Sequence, residues 1–130
     1  MKKRIITAKK APAAVGPYSH AVVAGPFVFV SGQIPINQQG EMVEGDIVVQ
    51  TVQVLENLKN ILEAADLSLK DVVKTTVFLA DMADFAGMNR VYGEFFPADP
   101  PARSTVQVSA MARNAAVEIE AVAIRKGWPE

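Results

Sequence analysis

Two short stretches near the C-terminus restrict the fold more than any other feature of the chain. Pro101-Ala102-Arg103-Ser104-Thr105-Val106-Gln107-Val108 and Val117-Glu118-Ile119-Glu120-Ala121 both alternate with period two, the pattern of strands whose faces meet different surroundings. In the first, Ala102, Ser104, Val106 and Val108 share one face, and Arg103, Thr105 and Gln107 the other. In the second, Val117, Ile119, Ala121 and Ala123 stand against Glu118 and Glu120. Ser109 to Ala116 suffices for a hairpin loop, so the two strands are expected to pair and bring Arg103 close to Glu118. An arginine and a glutamate on neighbouring strands are most often an ion pair contributing roughly 0.2–1 kcal/mol. One guanidinium fixed near one carboxylate is also where chemistry is to be sought.

Length and composition limit what surrounds that pair. A chain of 130 residues and 14.0 kDa is expected to form a single domain, residues 1–130, with one continuous core. Thirteen basic and 14 acidic side chains leave a net charge of -1, so no field draws nucleic acid or an anionic membrane. The basic cluster Lys2, Lys3, Arg4, Lys9 and Lys10 has no apolar stretch after it and does not read as a secretory signal. The apolar run Phe27 to Val30 is far too short to span a bilayer. The lack of cysteine excludes a disulfide framework and a thiol nucleophile, and fits a cytoplasmic protein. With one histidine besides, a His- or Cys-rich metal site is excluded, as is a Ser-His-Asp triad unless His20 serves it.

Periodicity orders the rest. Strands are expected at Arg4 to Thr7, Ala21 to Ala24 and Phe27 to Ser31, the last two joined at Gly25-Pro26. Phe27-Val28-Phe29-Val30 is apolar at every position, which predicts burial of both faces. Asp46 caps a helix to about Ala65, with Val48, Val52, Leu55, Leu58, Ile61, Leu62 and Ala65 on its inner stripe. Val72 to Leu79 is a β-branched strand. Asp81 or Asp84 starts a second helix to about Phe96, burying Phe85, Met88, Tyr92 and Phe95, and Pro97, Pro100 and Pro101 end it. The order β-β-β-α-β-α-β-β predicts an α+β domain, two helices on one face of a mixed sheet. An uncovered, partly apolar second face implies self-association, and polar residues such as Arg103, if they sit on that face, lie at or beside a subunit interface.

Pro101-Ala102-Arg103-Ser104-Thr105-Val106, followed by Val117-Glu118-Ile119-Glu120-Ala121, resembles the C-terminal signature of the RidA (YjgF-type) family of reactive-intermediate deaminases. The likeness extends to Ala13-Ala14-Val15-Gly16-Pro17-Tyr18-Ser19 and Val30-Ser31-Gly32-Gln33-Ile34-Pro35. It continues in Ile61-Leu62-Glu63-Ala64-Ala65, then in Asp84-Phe85-Ala86-Gly87-Met88-Asn89 with Tyr92 and Phe95-Phe96. The resemblance implies a chorismate-mutase-like fold with a six-stranded sheet, assembled as a homotrimer with a ligand cleft between subunits. It implies hydrolysis of 2-imino acids, tautomers of the 2-aminoacrylates released by pyridoxal-phosphate dehydratases, to 2-keto acids and ammonia. No cofactor and no metal are implied. Arg103 would bind the substrate carboxylate, Glu118 would hold the water, and Tyr18, Ser31, Gly32, Asn89 and Thr105 would line the cleft.

The chemistry suits these residue types. The arginine fork matches a planar carboxylate as lysine cannot. An iminium carbon is already electrophilic, so positioning one water and accepting its proton suffices, work that a carboxylate can do. Thr105 stands where many relatives carry cysteine, which leaves a hydroxyl or backbone role. His20 stands where relatives often carry glutamine and reads as structural, and Ala112 replaces a common loop proline. The competing function is a binding or regulatory module sensing 2-keto acids without turnover, for which a water-holding glutamate has less use. Ribonuclease or chaperone-like activity has also been linked to the family, but no basic aromatic groove supports nucleic-acid binding here.

Overall fold

The elements follow the expected order. The computed structural model describes residues 2–128. It contains strands β1 (Arg4–Ile6), β2 (Ala21–Ala24) and β3 (Phe27–Gln33), helix α1 (Ile47–Ala64), strand β4 (Val72–Leu79), helix α2 (Phe85–Phe95), and strands β5 (Ala102–Gln107) and β6 (Val117–Ile124). Both helices lie on one face of a six-stranded mixed sheet, an α+β fold.

The Asp46 carboxylate accepts from the Val49 N–H at 3.1 Å and caps α1. The inner stripe is Val54, Leu55, Leu58, Ile61 and Leu62, all fully buried, whereas Val52, placed inside by the sequence pattern, is exposed. Asn57 is buried with them because its amide binds the Ile34 and Ile36 carbonyls at 3.2 and 2.9 Å, fixing the segment after β3 against α1. Asp81 caps only a 3-10 turn, Met82–Asp84, and Asp84 makes no side-chain cap where α2 begins. Met88, Val91 and Tyr92 face inward from α2, whereas Phe85 is exposed. A Cβ on Gly87 would stand 2.6 Å from Ile47 Cγ2, so only glycine lets the two helices approach this closely.

The strand order is β1-β2-β3-β6-β4-β5. This corrects the expected hairpin: β5 and β6 do not pair, because β4 lies between them. The β4–α2–β5 segment is a crossover, so β5 runs parallel to β4, pairing Thr75 with Arg103 and Val77 with Thr105. β6 takes the other side of β4 antiparallel, pairing Thr75 with Ala121 and Phe78 with Glu118.

The facing of β5 is reversed as well. Arg103 and Thr105 are half-buried on the helix side, in line with buried Thr75 and Val77, while Ala102, Ser104 and Val106 are exposed. On β6, Val117, Ile119, Ala121 and Ala123 pack under the helices, and Glu118 and Glu120 occupy the open face. On that face Phe27 and Phe29 are 41% and 47% exposed in the single chain, so one chain alone buries only the helix-side face of β3. With Val106 and Ile124, both 42% exposed, they form the uncovered apolar surface anticipated from two helices and one sheet. Among the described residues, no helix is long and apolar enough to cross a membrane.

Candidate active site

Alternation on β5 turns Arg103 toward α2, where an aromatic and thioether cradle receives it. Its guanidinium carbon sits 4.7 Å from the Tyr92 ring centroid and 5.6 Å from that of Phe85, and Nη1 is 3.9 Å from Met88 Sδ. The Tyr92 hydroxyl shares a buried 2.6 Å hydrogen bond with Thr75 Oγ1, on the strand beside Arg103. Burial raises the Tyr92 phenol above its ordinary value, opposed by that hydrogen bond and by the Arg103 charge. The rings hold the cation without neutralising it. The one ion pair among the described residues joins Lys126 and Asp71 at 3.8 Å, so Arg103 has no carboxylate partner there. The cross-strand pair with Glu118 does not form.

Two residues along the same strand face, the Thr105 hydroxyl is buried without a hydrogen-bond partner. Asn89 is half-buried on α2, next to Met88. Arg103 and Thr105 on β5, with Asn89 on the helix that holds the guanidinium, form one half of the predicted set.

Glu118 belongs to the other half, on the opposite side of the sheet. The β3–β6 register shifts between Val30 and Gln33, and the irregular Ser31–Gly32 backbone crosses directly beside the Glu118 side chain. A Cβ on Gly32 would stand 3.0 Å from Glu118 Cδ and nearer still to its carboxylate oxygen, so glycine is required for the carboxyl group to occupy this place. Burial, and secondarily the charge of Glu120, raises the Glu118 carboxyl above its ordinary value and makes it a better proton acceptor. Ser31 Oγ donates to the Ser19 carbonyl at 2.6 Å, and buried Gln33 donates to the Ser31 carbonyl at 3.1 Å. Tyr18 is 46% exposed on the loop before β2, its hydroxyl 3.3 Å from the Val15 N–H, and lines a small cavity with Gly32 and Gln33.

The structure thus brings Glu118, Gly32, Ser31 and the Tyr18 loop together, and separates them from Arg103 and Thr105. The Phe85–Met88–Tyr92 cradle and the Gln33 amide were not among the residues singled out from sequence. Phe85, Met88 and Tyr92 were given no site role there, only a place in the helix's buried stripe and in the family likeness, although their spacing on the helix leading into the Arg103 strand is the signal that finds them. A larger cavity of about 610 Å³ lies between the C-terminal ends of α1 and α2, lined by Lys59, Leu69 and Phe95 among others, and contains none of these residues. Among the described residues, no cluster of three or more His, Asp or Glu side chains could hold a metal ion.

Comparison with known proteins places this geometry in a family. The family model described as Endoribonuclease L-PSP matches residues 8–125. The chain is 48% identical to the chloroplastic Reactive Intermediate Deaminase A of Arabidopsis thaliana, over 95% of this chain and 66% of that protein. It is 44% identical to the 2-iminobutanoate/2-iminopropanoate deaminase of Mus musculus, over 95% of this chain and 92% of that one. Among solved structures, a putative endoribonuclease of Thermotoga maritima superposes with a TM-score of 0.93 at 54% identity, covering 98% of this chain and 100% of that one. A shared fold, a family model matching residues 8–125 and near full-length relatives lead to one conclusion: the chain belongs to the RidA/YjgF family, whose model carries the name Endoribonuclease L-PSP.

Proposed function

We propose that the chain is a 2-iminobutanoate/2-iminopropanoate deaminase, hydrolysing imines released by pyridoxal-phosphate dehydratases to 2-keto acids and ammonia. The observation that carries this reading is the half-buried Arg103 guanidinium, cradled by Tyr92 and Phe85 and paired with no carboxylate among the described residues. A cation held in this way is prepared for the carboxylate of a small acid. Water then adds to the iminium carbon while Glu118 takes its proton, giving a carbinolamine. Glu118 returns the proton to nitrogen, then takes the hydroxyl proton as the C–N bond breaks, so that ammonia leaves and the C=O bond forms. The protein's own groups suffice for these steps, with no cofactor and no metal.

Arg103 and Glu118 face opposite sides of one sheet, so a ligand touching both is enclosed by two chains. The exposed Phe27, Phe29, Val106 and Ile124 supply apolar surface for that contact. We take the assembly to be a homotrimer with one cleft per interface, acting in the cytoplasm on a small acid, away from membranes and nucleic acid. The reading is tested by coupling a dehydratase that makes 2-aminoacrylate to this protein and following 2-keto acid formation, with light scattering on the same sample. Acceleration by a three-chain particle is expected. Tight 2-keto acid binding without acceleration would instead support a sensor, and a monodisperse monomer would remove the shared cleft.

Two further results follow from the site. Thr105→Val is expected to raise the melting temperature of the free protein, because it removes a buried, unsatisfied hydroxyl. It should also weaken 2-keto acid binding roughly two- to tenfold, since the ligand is the missing partner. Calorimetry in the presence and absence of pyruvate checks both signs. For pH, the base works deprotonated, so turnover falls as pH drops through the raised Glu118 pKa. Glu120→Gln removes a like charge that contributes to the rise, so the acid limb of kcat/KM moves to lower pH. An unmoved limb would detach it from Glu118.

A further inference from the structure

His20, the one histidine of the chain, is 5% exposed just before β2 and has no part in the chemistry above. Its Nδ1 accepts from the Ala8 N–H at 2.9 Å, and its Nε2 lies 2.8 Å from the Pro12 carbonyl oxygen. A carbonyl only accepts and an N–H only donates, so these two partners define a neutral imidazole with its proton on Nε2. The main chain of the same residue accepts from the Ser31 N–H at 3.0 Å, and the neighbouring Ser19 carbonyl accepts from Ser31 Oγ. One side chain therefore ties residues 8–12 to the start of β2, while its backbone ties this point to the irregular Ser31–Gly32 stretch of β3 that abuts Glu118.

We propose that His20 is a positioning residue: its neutral imidazole clasps the 8–12 segment and holds Tyr18, Ser31 and Gly32 in place, and acid opens the clasp. A proton added at Nδ1 sets donor against donor at the Ala8 N–H, and one of them loses its hydrogen bond. The surroundings do not compensate. In the two cavities flanking the imidazole, the titratable side chains besides His20 are Lys9, from the segment after β1, and Tyr18, from the loop before β2. From β3, uncharged Gly32 and Gln33 line the second of these cavities with His20, and Glu118 of β6 stands beyond Gly32. No carboxylate lines either cavity, and Lys9 lines one of them; Lys10 and, from α1, Glu63 line a further cavity with Ala8.

The clasp rests on geometry alone; only its effect on turnover rests on the deaminase reading, and the two are measured separately. Amide hydrogen exchange of the full chain, expressed as protection corrected for intrinsic rate, is followed at Ala8 from about pH 8 to about pH 5. The wild type is expected to lose roughly tenfold protection across that range, in step with titration of the His20 ¹⁵N signals. His20→Gln keeps one acceptor and one donor without titrating, so its Ala8 protection should stay flat. In the imine assay, KM should rise on acidification in the wild type but not in His20→Gln, while the Glu118-dependent acid limb of kcat stays the same in both. Flat protection in the wild type, loss that does not track the imidazole signals, or the same pH dependence in His20→Gln would each overturn the clasp. The wild-type measurement decides even if the variant fails to fold. Exchange as expected in a protein without deaminase activity would leave the clasp standing and sink the deaminase reading.

Discussion

Arg103→Ala is expected to fold and assemble as the wild type does, yet neither to bind 2-keto acids such as pyruvate nor to accelerate imine hydrolysis. Folding should survive because Arg103 completes no ion pair among the described residues; what is lost is stacking on Tyr92 and Phe85 and a weak contact to Met88. Binding should not survive, since a charge-assisted hydrogen bond is worth ~1.5–3 kcal/mol, roughly ten- to a hundredfold in affinity, and a bidentate carboxylate makes two. Arg103→Lys is the sharper variant. It keeps the charge, so a purely electrostatic role would leave it nearly silent, but it loses the planar fork and the guanidinium face that lies on the Tyr92 ring. Strong impairment is expected in both calorimetric titration and the coupled assay. Near-normal activity of either variant would mean that the carboxylate binds elsewhere.

Glu118→Gln should separate binding from turnover. Its amide fills the same space against Gly32 and cannot take a proton, so kcat is expected to fall ~10²–10⁴-fold with little change in 2-keto acid affinity. Stability should move the opposite way. The fold raises the Glu118 pKa, so the protonated form is the one the folded chain favours. That contribution is present at low pH and is lost as pH rises through the raised value. At neutral pH the wild type therefore carries a disfavoured half-buried carboxylate that glutamine lacks, and the variant should melt higher, with the advantage fading on acidification. Unchanged turnover would reduce Glu118 to packing against Gly32, and an unchanged melting curve would mean that the carboxylate is adequately solvated.

Periodicity located the strands and helices well because each reports burial on its own element: β4 was delimited at both ends, and Asp46 was identified as the cap of α1. It could not report partners. β5 and β6 alternate alike, and the nine residues between them fit a hairpin, yet the loop contains left-handed Arg113 and Asn114 and carries the chain past β4 instead. The governing constraint was α2, a crossover that sets β5 beside β4 before β6 enters the sheet. The same limit applied at the site. Arg103 and Glu118 stood out in the sequence as the candidate pair, but their placement on opposite sheet faces depends on strand order. Burial of Asn57 was equally hidden, since a polar residue reads as outward until its carbonyl partners at Ile34 and Ile36 are known.

If the cleft is shared as proposed, that opposition of faces predicts that defects in this protein complement one another. In the proposed assembly the carboxylate-binding half would come from Phe85 to Thr105, the water-holding half from Ser31–Gly32 and Glu118, and each shared cleft would draw the two from different chains. Arg103→Ala and Glu118→Gln chains, each inactive alone, would regain activity when unfolded together and allowed to reassemble at equal amounts. Random assortment gives about one cleft in four with both halves intact, so a mixture of two dead proteins should recover about a quarter of wild-type turnover. Recombining either variant with itself should recover none.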